Sequence, residues 1–233
     1  MNMNIEQWKE QRDKSIRVVA FGSSNTELGW AHAGRHTWAD WLFINFRAHI
    51  GRHMQVINQG IGGERSDQLL TRIARDVLSF DPSVVIVTVG GNDSIQRLPL
   101  QQFTDNLRRV CEIIQSHGAI PVLQTYYCPM YHLGREGFRD EFESFMEVNR
   151  QLSREMDVPL ADQYRFFEPM YNRHPEAYAR MTRDWIHLNH LGNFFMAQHL
   201  SRLFGLPDLP VPADMKQDVE QLSGLMYAEQ EQA

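Results

Sequence analysis

The chain has 233 residues, of which 42% are apolar and 22% charged, with a formal net charge of −6. That length fits one domain or a tight pair, and that composition excludes disorder as the dominant state. The acidic balance argues against a nucleic-acid or anionic-membrane binder, and two cysteines, Cys111 and Cys128, supply neither a disulfide framework nor a CxxC zinc pair.

Residues 1–14 are polar and carry no signal-peptide h-region. Residues 17–21 (RVVAF) read as a buried strand that runs into the turn cluster Gly22-Ser23-Ser24-Asn25. Residues 37–50 have helical spacing, with Trp38, Trp41, Leu42 and Phe46 on neighbouring turns. A short strand over 55–58 leads into Gly60-Ile61-Gly62-Gly63. A helix over 66–78 follows, with Leu69, Leu70, Ile73, Ala74 and Val77 on its apolar face. Residues 84–89, rich in β-branched side chains, form the clearest strand and end in Gly90-Gly91-Asn92-Asp93. This apolar run is far shorter than the ~20 residues of a membrane helix, so no membrane insertion is expected, and a cytoplasmic location is the default. A helix over 100–117, a strand over 120–125, a Tyr/Pro/Gly-rich loop, a helix over 139–156, a strand near 158–161 and a helix over 191–204 complete the pattern.

Strand–helix alternation predicts a three-layer α/β domain with a parallel sheet, whose ligands bind beyond the carboxyl ends of the strands. The glycine-rich clusters after the first three strands would then converge on one rim. Residues 1–210 are expected to form this domain, and 211–233 a C-terminal amphipathic helical tail. In the tail, Met215, Val219, Leu222 and Met226 make a single apolar stripe. Docking of that stripe on its own domain is the simpler expectation; contact with a second subunit, giving a homo-oligomer, is the alternative.

Several of these residues carry chemistry. Ser24 sits where a strand becomes a turn, a place that suits a helix cap and equally a nucleophile supplied with a base. Asp184 and His187 are three apart, which lets both side chains share one side of a helical turn, the carboxylate orienting the imidazole. The Ser24 and Gly63 N–H groups and the Asn92 amide make a three-donor pocket for a developing oxyanion; a turn glycine and an Asx turn are the plainer readings of the last two.

These blocks, in this order, resemble the SGNH, or GDSL-type, esterase and lipase family. The likeness runs over roughly residues 17–204, through Phe21-Gly22-Ser23-Ser24-Asn25-Thr26, Asn58-Gln59-Gly60-Ile61-Gly62-Gly63-Glu64, Gly90-Gly91-Asn92-Asp93 and Asp184-Trp185-Ile186-His187-Leu188-Asn189. The resemblance implies an α/β/α sandwich with a central parallel, flavodoxin-like sheet of about five strands. It also implies a serine esterase in which Ser24 is the nucleophile, His187 the base and Asp184 the acid. Ser24, Gly63 and Asn92 would form the oxyanion hole, with no cofactor and no metal. Two positions depart from the family pattern: Ser23 stands where aspartate is usual, and Trp185 where glycine is usual after the acid.

Other readings compete with this one, although nucleotide binding is disfavoured because neither GxGxxG nor GxxxxGK(S/T) occurs. Asp184, His187 and His190 give a D-x-x-H-x-x-H metal-ligand spacing; Cys128 with His132 suggests a thiol enzyme without an orienting motif; a non-catalytic ligand-binding domain would retain the fold alone. The loops carrying Trp30, Tyr126, Tyr127 and Trp185 are the expected substrate-binding region. They hold no long aliphatic stretch, so the expected partner is a small ester, such as an acetyl ester of a carbohydrate or other small alcohol. A lysophospholipase or thioesterase role is the alternative.

Overall fold

The computed structural model of the chain describes residues 5–27 and 34–230. Strands β1 (Ile16–Gly22), β2 (Met54–Gly60), β3 (Val84–Thr88), β4 (Ile120–Gln124) and β5 (Leu160–Ala161) form one sheet in the order β2-β1-β3-β4-β5. Every pairing is parallel. Parallel neighbours need crossover connections, and the helices that supply them cover both faces. This is why β1 and β3 read as continuous apolar runs: Val18 to Phe21 and Val84 to Val87 are fully buried.

The helices are α1 (Ile5–Glu10), α2 (Trp38–His49), α3 (Ser66–Asp76), α4 (Gly91–Ile95), α5 (Leu100–Ser116), α6 (Phe138–Met156), α7 (Gln163–Arg173), α8 (Pro175–Ala179), α9 (His190–Leu203) and α10 (Lys216–Gln230). α2 packs on α9 in one layer, while α3, α5 and α6 pack in sequence in the other. The architecture is the expected α/β/α sandwich on a five-stranded parallel sheet. β1 sends its chain to β2 on one side and pairs with β3 on the other, so the strand order reverses there, and a crevice opens beyond the carboxyl ends of these strands.

Local chemistry sets the boundaries. A capping box starts α2: the Thr37 N–H donates to the Asp40 carboxylate at 2.8 Å, and the Asp40 N–H to the Thr37 hydroxyl. α3 stops at Asp76, short of the expected residue 78, and Leu78–Phe80 tighten into a 3₁₀ turn. Its buried face also differs from the expected stripe. Ala74 faces solvent and Arg72 is buried, because that guanidinium has partners on the sheet side. Four helices went unpredicted. α1, α4 and α8 are too short to show a period, and α7 carries Pro169 inside it.

Met215, Val219, Leu222 and Met226 are all buried, and α10 lies against α7 of the same chain. The apolar stripe is thus covered within the molecule, as the simpler expectation has it. Among the described residues, no helix is long and apolar enough to cross a membrane.

Candidate active site

The site begins where β1 ends. A Cβ on Gly22 would lie 2.4 Å from the Thr88 carbonyl oxygen, so glycine is required for the chain to turn here beside β3. The turn is closed by the Thr26 and Glu27 N–H groups, which donate to the Ser23 carbonyl at 2.9 and 3.0 Å. Ser24 stands half-buried on this turn between two buried neighbours. Ser23, at the position where aspartate was expected by resemblance, places its hydroxyl 2.5 Å from the Tyr126 hydroxyl. Asn25 meets the Tyr127 hydroxyl, and its carbonyl accepts from the Trp38 indole at 2.9 Å.

Asp184 and His187 come from the connection between α8 and α9. The expected helical turn is absent. Instead an antiparallel bridge between Thr182 and Leu188 closes a loop. Asp184 Oδ1 accepts the backbone N–H groups of Ile186 and His187 at 3.0 and 2.8 Å. A short carboxylate side chain competes with the helix for backbone donors, and here it wins. The same carboxylate lies 2.9 Å from His187 Nδ1, and His187 Nε2 lies 3.0 Å from Ser24 Oγ. A carboxylate cannot donate, so Nδ1 carries the proton and Nε2 is left to accept from the serine hydroxyl. Burial pushes the Asp184 carboxyl up, but the Ile186 N–H, the His187 hydrogen bond and the His187 charge outweigh it. Together they hold the group below the usual carboxylate range.

The other side of the site is built from the loop after β2 and the start of α4. Gly63 has φ +80°, the left-handed region that favours glycine, and is exposed. Among the described residues, neither its N–H nor that of Ser24 meets an acceptor. Asn92 donates one of its two amide hydrogens to the Glu64 carbonyl at 2.8 Å, which fixes the amide and leaves the other hydrogen. Ser24, Asn25, Gly63, Gly91, Asn92, Tyr126, Ile186 and His187 line one cavity of ≈ 210 Å³.

Beneath it, Arg72 donates to Glu64 at 2.6 Å and to the Gly22 carbonyl at 3.1 Å, joining this loop to the end of β1. Asp93 is fully buried and accepts from the Ser66 N–H and hydroxyl at 2.9 and 2.5 Å, tying α4 to α3. Burial pushes the Asp93 carboxyl up.

The structure therefore gathers Ser24, Gly63, Asn92, Asp184 and His187. Of the expected substrate-binding aromatics, Tyr126 lines the cavity. Tyr127 is buried behind it, with its hydroxyl bonded to Asn25, Ile186 and Leu188. Trp185 packs edge-on against Phe138 at 5.6 Å and does not line the cavity. Trp30 lies outside the described residues. His190, the third member of the metal-ligand spacing, lines a separate cleft with Arg35, His36, Trp41 and Asp214. Among the described residues no group of three His, Cys, Asp or Glu is placed to hold a metal. Sequence reasoning missed Arg72, Glu64 and Ile186. Ile186 had a signal, since it stands between the two polar residues of its motif.

Comparison with known proteins adds the following. The GDSL-like Lipase/Acylhydrolase family profile matches residues 20–193. A Bacillus subtilis (strain 168) protein called uncharacterized lipoprotein YqeF is 29% identical over 174 residues, covering 64% of this chain and 71% of that protein. Thioesterase 1/protease 1/lysophospholipase L1 of Escherichia coli (strain K12) is 29% identical over 147 residues, covering 63% of this chain and 65% of that protein. A crystal structure of the acetyl xylan esterase AlAXEase superposes with a TM-score of 0.70 at 22% identity, covering 80% of this chain and 98% of that one. At that identity the likeness bears on the fold.

Proposed function

The chain belongs to the GDSL-like lipase/acylhydrolase family and is a hydrolase acting on ester bonds, and from that premise we propose that it cleaves short-acyl esters, acetyl above all, of carbohydrates or small alcohols through Ser24, His187 and Asp184. The observation that carries this reading is the continuous line from Asp184 to His187 Nδ1 at 2.9 Å and from Nε2 to Ser24 Oγ at 3.0 Å. Ser24 Oγ attacks the ester carbonyl as His187 Nε2 takes its proton. Asp184 holds the tautomer and stabilises the imidazolium. The Ser24 and Gly63 N–H groups and the free Asn92 amide hydrogen receive the oxyanion, a contribution of about 3–4 kcal/mol per donor. His187 then protonates the leaving alcohol, and water repeats the two steps on the acyl-serine, returning the proton to Ser24.

The size of the cavity supports a short acyl group. The cavity of ≈ 210 Å³ is of the order of one that holds a benzene ring (~150 Å³), which suits an acetyl group and the near part of its alcohol. Tyr126 and Ile186 form its apolar walls. The fold neighbour named as an acetyl xylan esterase carries the same acyl length in its name. The Escherichia coli relative, named thioesterase and lysophospholipase, supports the second reading, a longer acyl chain.

A series of p-nitrophenyl esters separates the two. Acetate is expected to exceed octanoate by at least about tenfold in kcat/KM, with the activity abolished in Ser24→Ala. The reverse preference moves the assignment to a thioesterase or lysophospholipase, and activity surviving Ser24→Ala removes the serine mechanism.

A further inference from the structure

Ser24 and His187 are 163 positions apart and stand on separate loops, yet proton transfer between them needs their separation fixed to a fraction of an ångström. Asp184 orients the imidazole but belongs to the histidine's own loop, so it does not set that loop's distance from the serine. The groups flanking the two reacting residues are better placed to do so. Ser24 lies between Ser23 and Asn25, and His187 between Ile186 and Leu188.

One phenol touches three of these four neighbours. The Tyr127 hydroxyl meets Asn25 Oδ1, lies 2.6 Å from the Ile186 carbonyl oxygen, and accepts the Leu188 N–H at 3.0 Å. Its ring is 1% exposed and sits edge-on to Phe167 at 6.0 Å, so it cannot swing away. The preceding residue, Tyr126, holds the fourth neighbour, Ser23.

The valences agree with a fixed point. A phenol has one proton to give and two lone pairs. The Leu188 N–H takes one lone pair, and the single proton is shared between the Ile186 carbonyl and Asn25 Oδ1, so the hydroxyl holds all three partners at once. Burial pushes the Tyr127 pKa well above the ordinary phenol range, so the neutral form with its one donor is the one present.

We propose that Tyr127 is a positioning residue of this site: its hydroxyl joins the serine turn to the histidine loop and so sets the gap across which the Ser24 proton passes. The inference rests on the reading of Ser24 as nucleophile and His187 as base.

The test compares Tyr127→Phe, which keeps the ring, with wild-type protein, Phe167→Leu and Ser24→Ala. Active sites are counted by end-point labelling with a fluorophosphonate, and the labelling rate, kcat and KM for p-nitrophenyl acetate are expressed per labelled site. Tyr127→Phe should lose about 10- to 100-fold in kcat and in labelling rate while KM stays within about twofold. Phe167→Leu thins the packing against the same ring; it should lower Tm and leave the rate per site unchanged. A role in stability alone would reduce the number of sites and not the rate of each. If Tyr127→Phe does not fold, Asn25→Ala, which removes one partner of the phenol, should show the same split. A wild-type rate per site in the folded variant, or an equal loss in Phe167→Leu, overturns the proposal. Turnover by Ser24→Ala overturns the reading of Ser24 and this inference with it. An inactive Ser24→Ala beside a Tyr127→Phe of full speed overturns this inference alone.

Discussion

Replacing Arg72 by methionine probes what holds the loop after β2 against the end of β1. The guanidinium is 4% exposed, donates to Glu64 at 2.6 Å and to the Gly22 carbonyl at 3.1 Å, lies 3.4 Å from Asp76, and stands 4.5 Å above the Phe21 ring. Methionine retains most of the apolar stem, so little cavity forms; what disappears is the charge and its donors. Breaking a buried pair from one side costs about 3–5 kcal/mol, since the partner is left uncompensated. Asp76 keeps Arg75 at 2.5 Å, and the Glu64 side chain retains some exposure, so the lower end, about 3 kcal/mol, applies. For a chain of this length each kcal/mol moves Tm by about 2–4 °C, giving a loss of roughly 6–12 °C. Adding Glu64→Gln removes the stranded carboxylate and should restore about half of the loss. Calorimetry on wild type, both single variants and the double variant completes the cycle. An Arg72→Met protein within about 1 kcal/mol of wild type, or a double variant no more stable than Arg72→Met, would show that this ion pair is not what anchors the loop.

Two more expectations follow from the geometry. Asn92→Ala should lower kcat for an acetyl ester by about 10²–10³ with little change in KM, because the side chain offers its remaining hydrogen to charge that develops after binding; a loss confined to KM would contradict that role. His199 stacks on Phe166 at 4.3 Å, and burial pushes its pKa down to about 4. The unfolded chain binds that proton near pH 6.5 and the folded chain only near pH 4. Its contribution is therefore fully present above about pH 6.5 and falls by up to about 3 kcal/mol on acidification toward pH 4. The Tm of wild type should drop more steeply over that window than that of His199→Gln, and parallel curves would count against the assignment.

The parts of the fold that the sequence made legible are those written in short-range pattern. β1 and β3 are buried on both faces and so appear as unbroken apolar runs. The clusters around Ser24, Gly63 and Asn92 each follow a strand, which places them at one end of a parallel sheet before any coordinate is known. What escaped was written in partnership. Arg72 looks like a solvent-facing residue of α3 until Glu64 and the Gly22 carbonyl are seen opposite it. Asp184-Trp185-Ile186-His187 has helical spacing, but the Asp184 carboxylate captures the backbone donors that would have continued a helix. Tyr127 reads as a loop aromatic free to meet a substrate; its partners, Ile186 and Asn25, lie 59 and 102 positions away, beyond the reach of periodicity.

The claim on which the mechanism turns is that Ser24 is a nucleophile activated by His187. Treating the protein with a fluorophosphonate and locating the adduct by peptide mass spectrometry tests it most directly. One adduct on the peptide bearing Ser24, missing in Ser24→Ala and formed far more slowly in His187→Ala, is the predicted result. A folded, ester-hydrolysing protein that stays unlabelled, or that carries the label on a different residue, would contradict it.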